Sequence, residues 1–304
     1  MALTSAPTGA ATTTPRQGLA GIGTPHGQRR VNQSLAYAVL LLLSAVVILP
    51  FGWMLTVALK PDGVPVFTIP PEWFPTRYWE WENFRTALVD STQPFGRYFL
   101  NTTMIVIFNV IGTLFSCSLA AYAFARLRFR GREVLFNILI ITMLVPWQAL
   151  IIPQFLLFFR LGWYGTYLPL IVPSFTGRAF FIFLIRQYMR TFPRDLDDAA
   201  RIDGAGFFRI YWDIILPLSR PVLMVVIVFV FLSSWSDLLG PLIYLNENNQ
   251  FTLAIGLANF VSRAGTDWNL LMAANLITLI PVLVVYYFAQ DKLIGGIASV
   301  GLKG

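Results

Sequence analysis

The sequence predicts an all-α polytopic membrane protein with six transmembrane helices and with both termini in the cytoplasm. The first observation is compositional: 56% of the 304 residues are hydrophobic, only 12% are charged, and the mean hydropathy is +0.65. Soluble domains carry roughly a quarter of their residues as charge. The second observation is a series of apolar segments that are long enough to cross a bilayer. The third is an uneven distribution of Lys and Arg between the loops.

The first 34 residues are expected to form a disordered cytoplasmic tail (1–34). They are rich in Ala, Thr, Gly and Pro and include no acidic residue, and such a composition cannot bury a core. The remainder, 35–304, is predicted to form one transmembrane domain. The first apolar run begins late and is too long for the hydrophobic part of a signal peptide. We therefore expect it to stay in the protein as a membrane anchor.

Six apolar segments provide the predicted spans. Pro146 and Pro153 interrupt the third segment, and Arg178 lies near the middle of the fourth. Proline is tolerated in a span when neighbouring helices or water satisfy the carbonyl groups that it leaves free. In chain order the segments are roughly 35–57, 100–125, 134–158, 167–187, 221–245 and 269–290.

Lys and Arg predict the orientation, because these residues are enriched in cytoplasmic loops. With the N-terminus inside, 15 of the 22 Lys and Arg lie on the cytoplasmic side, six lie outside, and Arg178 lies within a span. The short loop "RLRFRGR" at 126–132 contributes most to this difference. The net charge of +7 is thus explained by orientation in the membrane, and no nucleic-acid partner is needed.

The residue inventory argues against a membrane enzyme. Cys117 is the only cysteine and lies in an apolar segment, whereas His26 is the only histidine and lies in the tail. These two residues provide neither a disulfide nor a catalytic or metal-binding constellation. An ion-coupled secondary transporter stays open as an alternative, although no pair of similarly broken segments indicates an inverted repeat.

A charged segment that contains a turn, "DAARIDGAGFFRIYWDIILP" at 198–217, separates the fourth and fifth spans. Apolar residues recur at helical spacing on both sides of Gly204. Glycine adopts backbone conformations that strain other residues, so we expect two short amphipathic helices joined by a bend at Gly204. The first apolar face comprises Leu196, Ala199 and Ala200, and the second comprises Phe207, Ile210, Tyr211 and Ile214.

Two interpretations of this segment follow from the pattern alone. In one, the two helices form a knob that enters a cleft of a partner protein, where Asp198 and Asp203 pair with basic residues. In the other, the segment is a cytoplasmic hairpin that only packs against its own helices.

The segment resembles the EAA loop of the permease subunits of ATP-binding cassette (ABC) importers. In that family the loop reads EAA, three residues, Gly, nine residues, Ile, one residue, Leu-Pro, and every spacing is kept here. Asp198 stands where Glu is usual, which shortens the reach of the carboxylate by one methylene. The residues to which the resemblance assigns coupling to an ATPase are Asp198, Ala199, Ala200, Asp203, Gly204, Ala205, Ile214, Leu216 and Pro217.

The resemblance covers nearly everything after about residue 35 and is greatest to the carbohydrate-type, MalG-like permeases. The "GLKG" ending and the body of the chain favour this sugar branch, and an ABC permease for amino acids or peptides stays open as the alternative. The similar stretches are "AYAFARLRFRGR" at 121–132, "VPWQALIIPQFLLFFRLG" at 145–162, "FLIRQYM" at 183–189 and the ending "GGIASVGLKG".

The resemblance implies a type I importer permease fold and a transmembrane permease subunit of an ATP-driven importer for a sugar or oligosaccharide. It implies a second permease subunit, an extracytoplasmic solute-binding protein, and two cytoplasmic ATPase subunits that dock on the coupling segment, as we call residues 194–217. The expected location is the plasma (inner) membrane of a prokaryote. This chain lacks the G-x-x-x-x-G-K-[ST] loop that cradles nucleotide phosphates, so it is not expected to be an enzyme or to bind a cofactor, and ATP and Mg are expected on the partner ATPase.

Polar residues of the fourth and fifth spans are candidates for the wall of the sugar pathway. An Arg at the bilayer centre costs about 2.5–3.5 kcal/mol on insertion scales, so Arg178 is expected to face protein or water. Asp237 is its nearest partner in depth, and a purely structural ion pair between the two stays open. Ser233, Ser234 and Trp235 supply the hydroxyl and aromatic groups that suit a sugar.

Overall fold

The computed structural model describes residues 26–89, 94–262 and 265–301, with backbone only for 26–31, 262, 265–266 and 291–301. Residues 1–25 of the tail that the sequence predicts to be disordered lie outside the described residues. So do 302–304 of the "GLKG" ending. The first helix begins at His26, and the last part of the predicted tail, 26–34, is therefore helical.

The described residues form a chain of helices that are joined by short connections. In order they are α1 (His26–Ala58), α2 (Glu82–Val89), α3 (Phe95–Arg126), α4 (Arg132–Thr142), α5 (Trp147–Arg160), α6 (Leu168–Ile171), a 3₁₀ helix (Val172–Thr176), α7 (Ala179–Met189), α8 (Asp195–Ile202), α9 (Phe207–Arg209), a π-helical stretch (Ile210–Ile215), α10 (Leu216–Leu218), α11 (Arg220–Trp235), α12 (Leu239–Tyr244), a 3₁₀ helix (Asn248–Gln250), α13 (Leu253–Asn259) and α14 (Trp268–Gly301). The small exception to the all-α architecture is an antiparallel pair of two-residue strands, β1 (Val261–Ser262) and β2 (Gly265–Thr266).

Four segments of the described chain are long and apolar enough to cross a membrane, and two bent helix pairs raise the number to six if each pair counts as one span. By length and composition, the predicted number of six spans is confirmed when each pair counts as one. The second pair, Phe207–Leu218 with Arg220–Trp235, begins earlier than the predicted fifth span and includes part of the coupling segment. The four segments that count singly are Asn32–Ala58, Phe95–Arg126, Leu168–Met189 and Trp268–Gln290.

The third predicted span, 134–158, is bent rather than straight. Its two helices, α4 and α5, meet at an angle of 96°. Pro146 precedes α5 with extended backbone angles, and proline has no N–H with which to continue the hydrogen bonding of α4. Pro153 lies inside α5 and does not end it.

The fifth predicted span, 221–245, is too long at its C-terminal end. The helix α11 stops at Trp235, and α12 begins only at Leu239. The carboxylate of Asp237 accepts a hydrogen bond from the N–H of Gly240 at 3.1 Å, which gives the chain an alternative to continuing α11. The apolar composition of 238–245 conceals this break in the sequence.

Helix α3 lies at the centre of the part of the chain that follows Pro50, where it packs against α7 and α11. One buried cluster joins the C-terminal half of α3 to α7, α11 and the coupling segment, and it includes Ile185, Met189 and Tyr211. A second cluster joins the N-terminal half of α3 to α13 and α14 through Tyr98, Phe95 and Leu253. Residues up to Pro50 form a separate compact unit, in which the apolar side chains of α1 are exposed.

Candidate functional site

The first half of the coupling segment is α8, which ends in a Schellman motif at Gly204. The φ angle of Gly204 is +79°. The N–H of Gly204 donates to the carbonyl of Arg201 at 3.0 Å, and the N–H of Ala205 donates to the carbonyl of Ala200 at 2.9 Å. These two bonds define the motif. The bend that the sequence predicts is therefore present, and no atom of the described residues lies within 4 Å of the position that a Cβ would take at Gly204.

A buried ion pair anchors α8 to the end of α3. Arg126 Nε donates to Asp197 Oδ2 at 2.8 Å, and the two side chains are only 3% and 7% exposed. The terminal nitrogens of Arg126 donate to the carbonyl oxygens of Phe192 and Pro193 at 2.9 and 2.8 Å. Because a guanidinium presents its donors in a rigid fork, this one side chain holds both α8 and the turn that leads into it.

Sequence reasoning missed this role of Arg126, since the residue counted there only as one positive charge of a cytoplasmic loop. A signal was nevertheless present in α8. Asp197 lies three residues before Ala200, so the two side chains share a face of the helix. Ala200 was predicted to lie on an apolar face, and a carboxylate on such a face needs a cation when it is buried. Arg126, at the end of the second span, is that cation.

The second half of the coupling segment is attached to α3 as well. The hydroxyl oxygens of Tyr211 and Ser118 are 2.8 Å apart, and the Tyr122 hydroxyl donates to the carbonyl of Phe207 at 2.9 Å. The apolar stripe predicted after Gly204 is divided by this packing. Ile210 and Tyr211 are buried and Ile214 is half-buried, whereas the side chain of Phe207 is exposed.

The other side of the coupling segment carries large apolar side chains that are exposed. Phe208 and Trp212 stack with their ring centroids 6.2 Å apart, and the Arg201 guanidinium lies over the ring of Phe207 at 5.1 Å. Large exposed apolar patches mark sites of interaction with other proteins or with a membrane. We call this set the exposed apolar surface: Leu196, Ile202, Phe207, Phe208 and Trp212.

The predicted coupling residues are divided between this surface and the interior. Those that are exposed are Asp198, Ala199, Asp203 and Gly204, and those that are buried or half-buried are Ala200, Ala205, Ile214, Leu216 and Pro217. The carboxylate of Asp198 lies 3.9 Å from the guanidinium of Arg201. The segment packs on its own helices, as the second interpretation expects, and it also presents an exposed surface, so docking of a partner stays a prediction.

A cavity of about 610 Å³ is bounded by α3, α5, α6, α11 and α12. It brings together four of the five residues predicted for the pathway, namely Arg178, Ser233, Ser234 and Asp237. The fourth predicted span is broken at this level, where Gly177 has a φ angle of +87° and Arg178 is extended.

Trp235, the fifth predicted residue, does not line the cavity. Its side chain is buried, its Nε1 donates to the carbonyl of Thr278 at 3.2 Å, and its ring stacks on that of Phe231. Consecutive side chains of an α-helix point in different directions, so Trp235 packs on α14 whereas Ser234 belongs to the cavity wall.

Arg178 and Asp237 share the cavity but do not form an ion pair. The Asp237 carboxylate accepts the N–H of Gly240. Within the described ranges, the Arg178 guanidinium has neither a hydrogen bond nor an ion pair, although Asp237 acts on it electrostatically. The purely structural ion pair that the sequence left open is therefore absent between these two residues.

Two further residues of the cavity wall were not predicted. Asn109 is 4% exposed and donates through Nδ2 to Ser234 Oγ at 3.1 Å, whereas its Oδ1 has no hydrogen-bond partner among the residues that the structure describes. Thr252 is 3% exposed, and its Oγ1 also lacks a partner. The two residues are far apart in the chain and lie in no common motif, so only the folded chain brings them to one wall.

Broken helices around a polar cavity, together with a surface segment anchored to the central helix, define the transmembrane subunit of a transporter. The chain belongs to the family of binding-protein-dependent transport system inner membrane components, whose family model matches residues 112–298. Residues of both features lie within the match.

Curated relatives are similar over most of the chain. The arabinooligosaccharide permease AraQ of Halalkalibacterium halodurans is 35% identical over 68% of this chain and 74% of its own length. The diacetylchitobiose uptake permease NgcG of Streptomyces coelicolor is 30% identical over 88% of this chain and 87% of its own length. The sn-glycerol-3-phosphate permease UgpE of Yersinia enterocolitica is 31% identical over 86% of this chain and 94% of its own length.

A solved structure has the same fold. A chain of a bacterial ABC transporter for the import of the acidic polysaccharide alginate superposes with a TM-score of 0.76 at 22% identity, and the match covers 87% of this chain and 97% of that one. The resemblance to carbohydrate-type ABC importer permeases and the type I permease fold are thereby confirmed. The family is one of multi-pass transport permeases rather than ATPases. Among the residues with described side chains, no group of His, Cys, Asp and Glu could hold a metal ion.

Proposed function

We propose that this chain is a permease subunit of an ATP-driven importer that moves a sugar or oligosaccharide across the plasma membrane of a prokaryote. An extracytoplasmic solute-binding protein delivers the sugar, and a second, similar permease subunit completes the pathway. Two cytoplasmic ATPase subunits, which bind ATP and Mg, supply the energy. The relatives named for arabinooligosaccharides and for diacetylchitobiose support the sugar class.

The observation that carries this proposal is the double attachment of the coupling segment. Arg126 and Asp197 join its first half to α3, and Tyr211 and Ser118 join its second half to the same helix. The exposed apolar surface is left free on the other side. An ATPase that docks there, with basic residues facing Asp198 and Asp203, can move the segment only together with α3.

Transport then follows from two states of the permease that differ in their contacts with the ATPase dimer. Closure of the ATPases upon ATP binding favours one state, and their opening favours the other, because a partner shifts an equilibrium by its differential affinity. Helix α3 carries the motion from the coupling segment to the cavity, since Ser118 and Asn109 lie on the same continuous helix. We assign the wall of the pathway to Arg178, Ser233, Ser234 and Asp237, with Trp235 packed behind it.

Affinity purification of the tagged chain from its native membrane tests this proposal. We expect an ATPase subunit to co-purify with the wild-type chain and to be lost from the Ile202→Glu variant, because Ile202 is almost fully exposed within the apolar surface. Val89→Glu is the matched control, since Val89 is an exposed β-branched residue at the end of α2. Equal recovery of the ATPase with both variants contradicts the docking site.

The alternatives predict different results in reconstituted vesicles. Solute uptake without ATP, driven by an ion gradient, identifies a secondary transporter. If the vesicles take up amino acids or peptides in an ATP-dependent manner but no sugars, the coupling mechanism is supported and the proposed sugar class is wrong.

A further inference from the structure

We propose that the cavity is a solute subsite carried by this chain itself, and that it takes a neutral, hydroxylated sugar ring in preference to one that bears a carboxylate or a phosphate. The inference deepens the proposed function, on which it rests for the direction of transport. It depends on the chemistry of five side chains: Asn109, Arg178, Ser234, Asp237 and Thr252.

The unpartnered atoms of the wall require a ligand that donates hydrogen bonds. Asn109 Nδ2 is already bonded to Ser234, so the free Oδ1 of Asn109 can only accept. The Asp237 carboxylate is likewise an acceptor when it is ionised. A buried acceptor without a donor costs free energy, and at neutral pH a carboxylate group of a ligand has no proton to offer, whereas a phosphate group is mostly deprotonated. A sugar hydroxyl has a proton to offer.

The same wall requires a ligand that also accepts hydrogen bonds. The guanidinium of Arg178 has donors only, and it is unpaired within the described residues. Thr252 Oγ1 can donate or accept and is unpaired as well. A ring with several hydroxyl groups satisfies donors and acceptors on different edges at the same time, because each hydroxyl plays both roles.

The charges of the wall favour a neutral ligand. When Asp237 is ionised, its negative charge offsets the positive charge of Arg178, so the pair has no net charge to offer an anion. An anionic ligand that approaches Arg178 also meets Asp237, and like charges at a binding site cost several kcal/mol. The cavity thereby differs from a site built for acidic sugars or phosphorylated polyols.

The size and the apolar groups of the cavity fit the same ligand. Its volume of about 610 Å³ lies within the range of about 300–1,000 Å³ for small-molecule pockets. Trp147 and Tyr244 contribute aromatic rings to the lining, and the apolar face of a sugar ring packs on such rings. Trp147 is exposed at the start of α5, and Tyr244 is buried at the end of α12.

Protection of an introduced thiol tests the subsite in the complete transporter. Cys117 is the only cysteine of this chain and is fully buried, so the Ser233→Cys variant gives this chain a single accessible thiol, and labelling is read on this chain after the subunits are separated. The labelling rate with a small methanethiosulfonate is measured with glucose, galactose or mannose, and with the matched glucuronate, galacturonate or mannuronate, each at the same series of concentrations. Ser236→Cys is the control, because Ser236 is an exposed serine of the same region that does not line the cavity.

We expect at least one neutral sugar to slow labelling of Ser233→Cys roughly tenfold more than its uronate does. One well-placed hydrogen bond or one like-charge contact produces a difference of about this size in binding. The control should not be protected. Adding Asp237→Asn should raise the protection by that uronate, since the repelling charge is gone. Protection by uronates equal to or greater than that by neutral sugars overturns the preference, and the absence of protection by any neutral sugar overturns the subsite.

Co-purification of the ATPase is measured on the same Ser233→Cys preparations, and it separates this inference from the proposed function. If the ATPase is present and no sugar protects the thiol, only the subsite fails. If sugars protect the thiol but the ATPase is absent, the subsite stands and the proposed energy coupling fails.

Discussion

Arg126 Nε and Asp197 Oδ2 are 2.8 Å apart in a buried contact between the end of α3 and the first turn of α8. The remaining donors of Arg126 hold the carbonyl groups of Phe192 and Pro193. The contact therefore joins three consecutive pieces of structure: the central helix, the turn after α7, and α8. A force applied to α8 by a docked protein reaches α3 through a short path of strong hydrogen bonds.

Removing the Arg126 side chain is predicted to uncouple the permease. The Arg126→Leu variant leaves Asp197 buried without a cation, and breaking a buried pair in this way costs about 3–5 kcal/mol. For this variant we expect a lower thermal unfolding temperature in detergent, loss of ATP-driven uptake, and a lower yield of co-purified ATPase.

Arg85→Leu is the matched control for that variant. Arg85 pairs with Glu82 at 3.0 Å, but both side chains are largely exposed, and such pairs contribute about 0–1 kcal/mol. Wild-type uptake by Arg126→Leu at equal membrane levels contradicts the role assigned to the buried pair.

Gly204→Val is predicted to abolish uptake while the chain still inserts into the membrane. A β-branched residue at a φ angle of +79° is strained, so the end of α8 must rearrange and the exposed apolar surface is displaced. The measurement is ATP-dependent uptake normalised to the amount of chain in the membrane.

Gly63→Val provides a control with the same local geometry. The φ angle of Gly63 is +82°, and no atom lies within 4 Å of its Cβ position, but the residue lies in the connection between α1 and α2. It should keep ATPase binding and uptake. Equal loss of uptake in both variants indicates general backbone strain rather than a coupling defect.

The bend in the coupling segment was predictable because it depends on residues that are close together in the sequence. The bend needs a residue that tolerates positive φ, and Gly204 stands between two apolar stripes at helical spacing. The buried anchor was not predicted, because Arg126 and Asp197 are distant in the chain and a Lys or Arg beside a span normally orients the protein.

The lining of the cavity was only partly predictable from the sequence. The cost of placing a charge in a span identified Arg178 and Asp237 as residues that need a polar environment, and both line the cavity. It could not decide which way a side chain of α11 points, so Trp235 was grouped with Ser234. Asn109 and Thr252 carry no charge and lie in ordinary apolar surroundings of the sequence, and their contribution became visible only through packing.

Gly256→Val is predicted to destabilise the contact between α13 and α3. A Cβ at Gly256 would overlap the ring of Tyr98, which is fully buried. Overpacking of this kind typically costs about 1–3 kcal/mol, and we expect a lower unfolding temperature in detergent. Gly206→Val is the control, because nothing lies within 4 Å of its Cβ position and its φ angle is −74°. An unchanged unfolding temperature for Gly256→Val contradicts the close packing.

The connection between α1 and α2 is predicted to loosen in acid. Lys60 is buried, and its ammonium group lies 2.9 Å from the carboxylate of Glu72. The hydrogen bond from Lys60 holds the pKa of Glu72 below its usual value of 4.5. A carboxyl whose pKa is lower in the folded state stabilises that state above its unfolded pKa, and this contribution is lost as the pH falls through the folded pKa. Protonation of Glu72 then leaves Lys60 buried without a counter-ion.

Amide hydrogen exchange at Glu80 reports on this loss, since its N–H donates to the carbonyl of Leu59 at 3.0 Å. Protection, corrected for the intrinsic dependence on pH, should be constant above pH 4.5 and should decline below it. The Glu72→Gln variant cannot form the ion pair, so its protection should be low and flat across the same range, whereas Glu82→Gln should behave like the wild type. A decline of the same size in Glu72→Gln assigns the acid sensitivity to a different group.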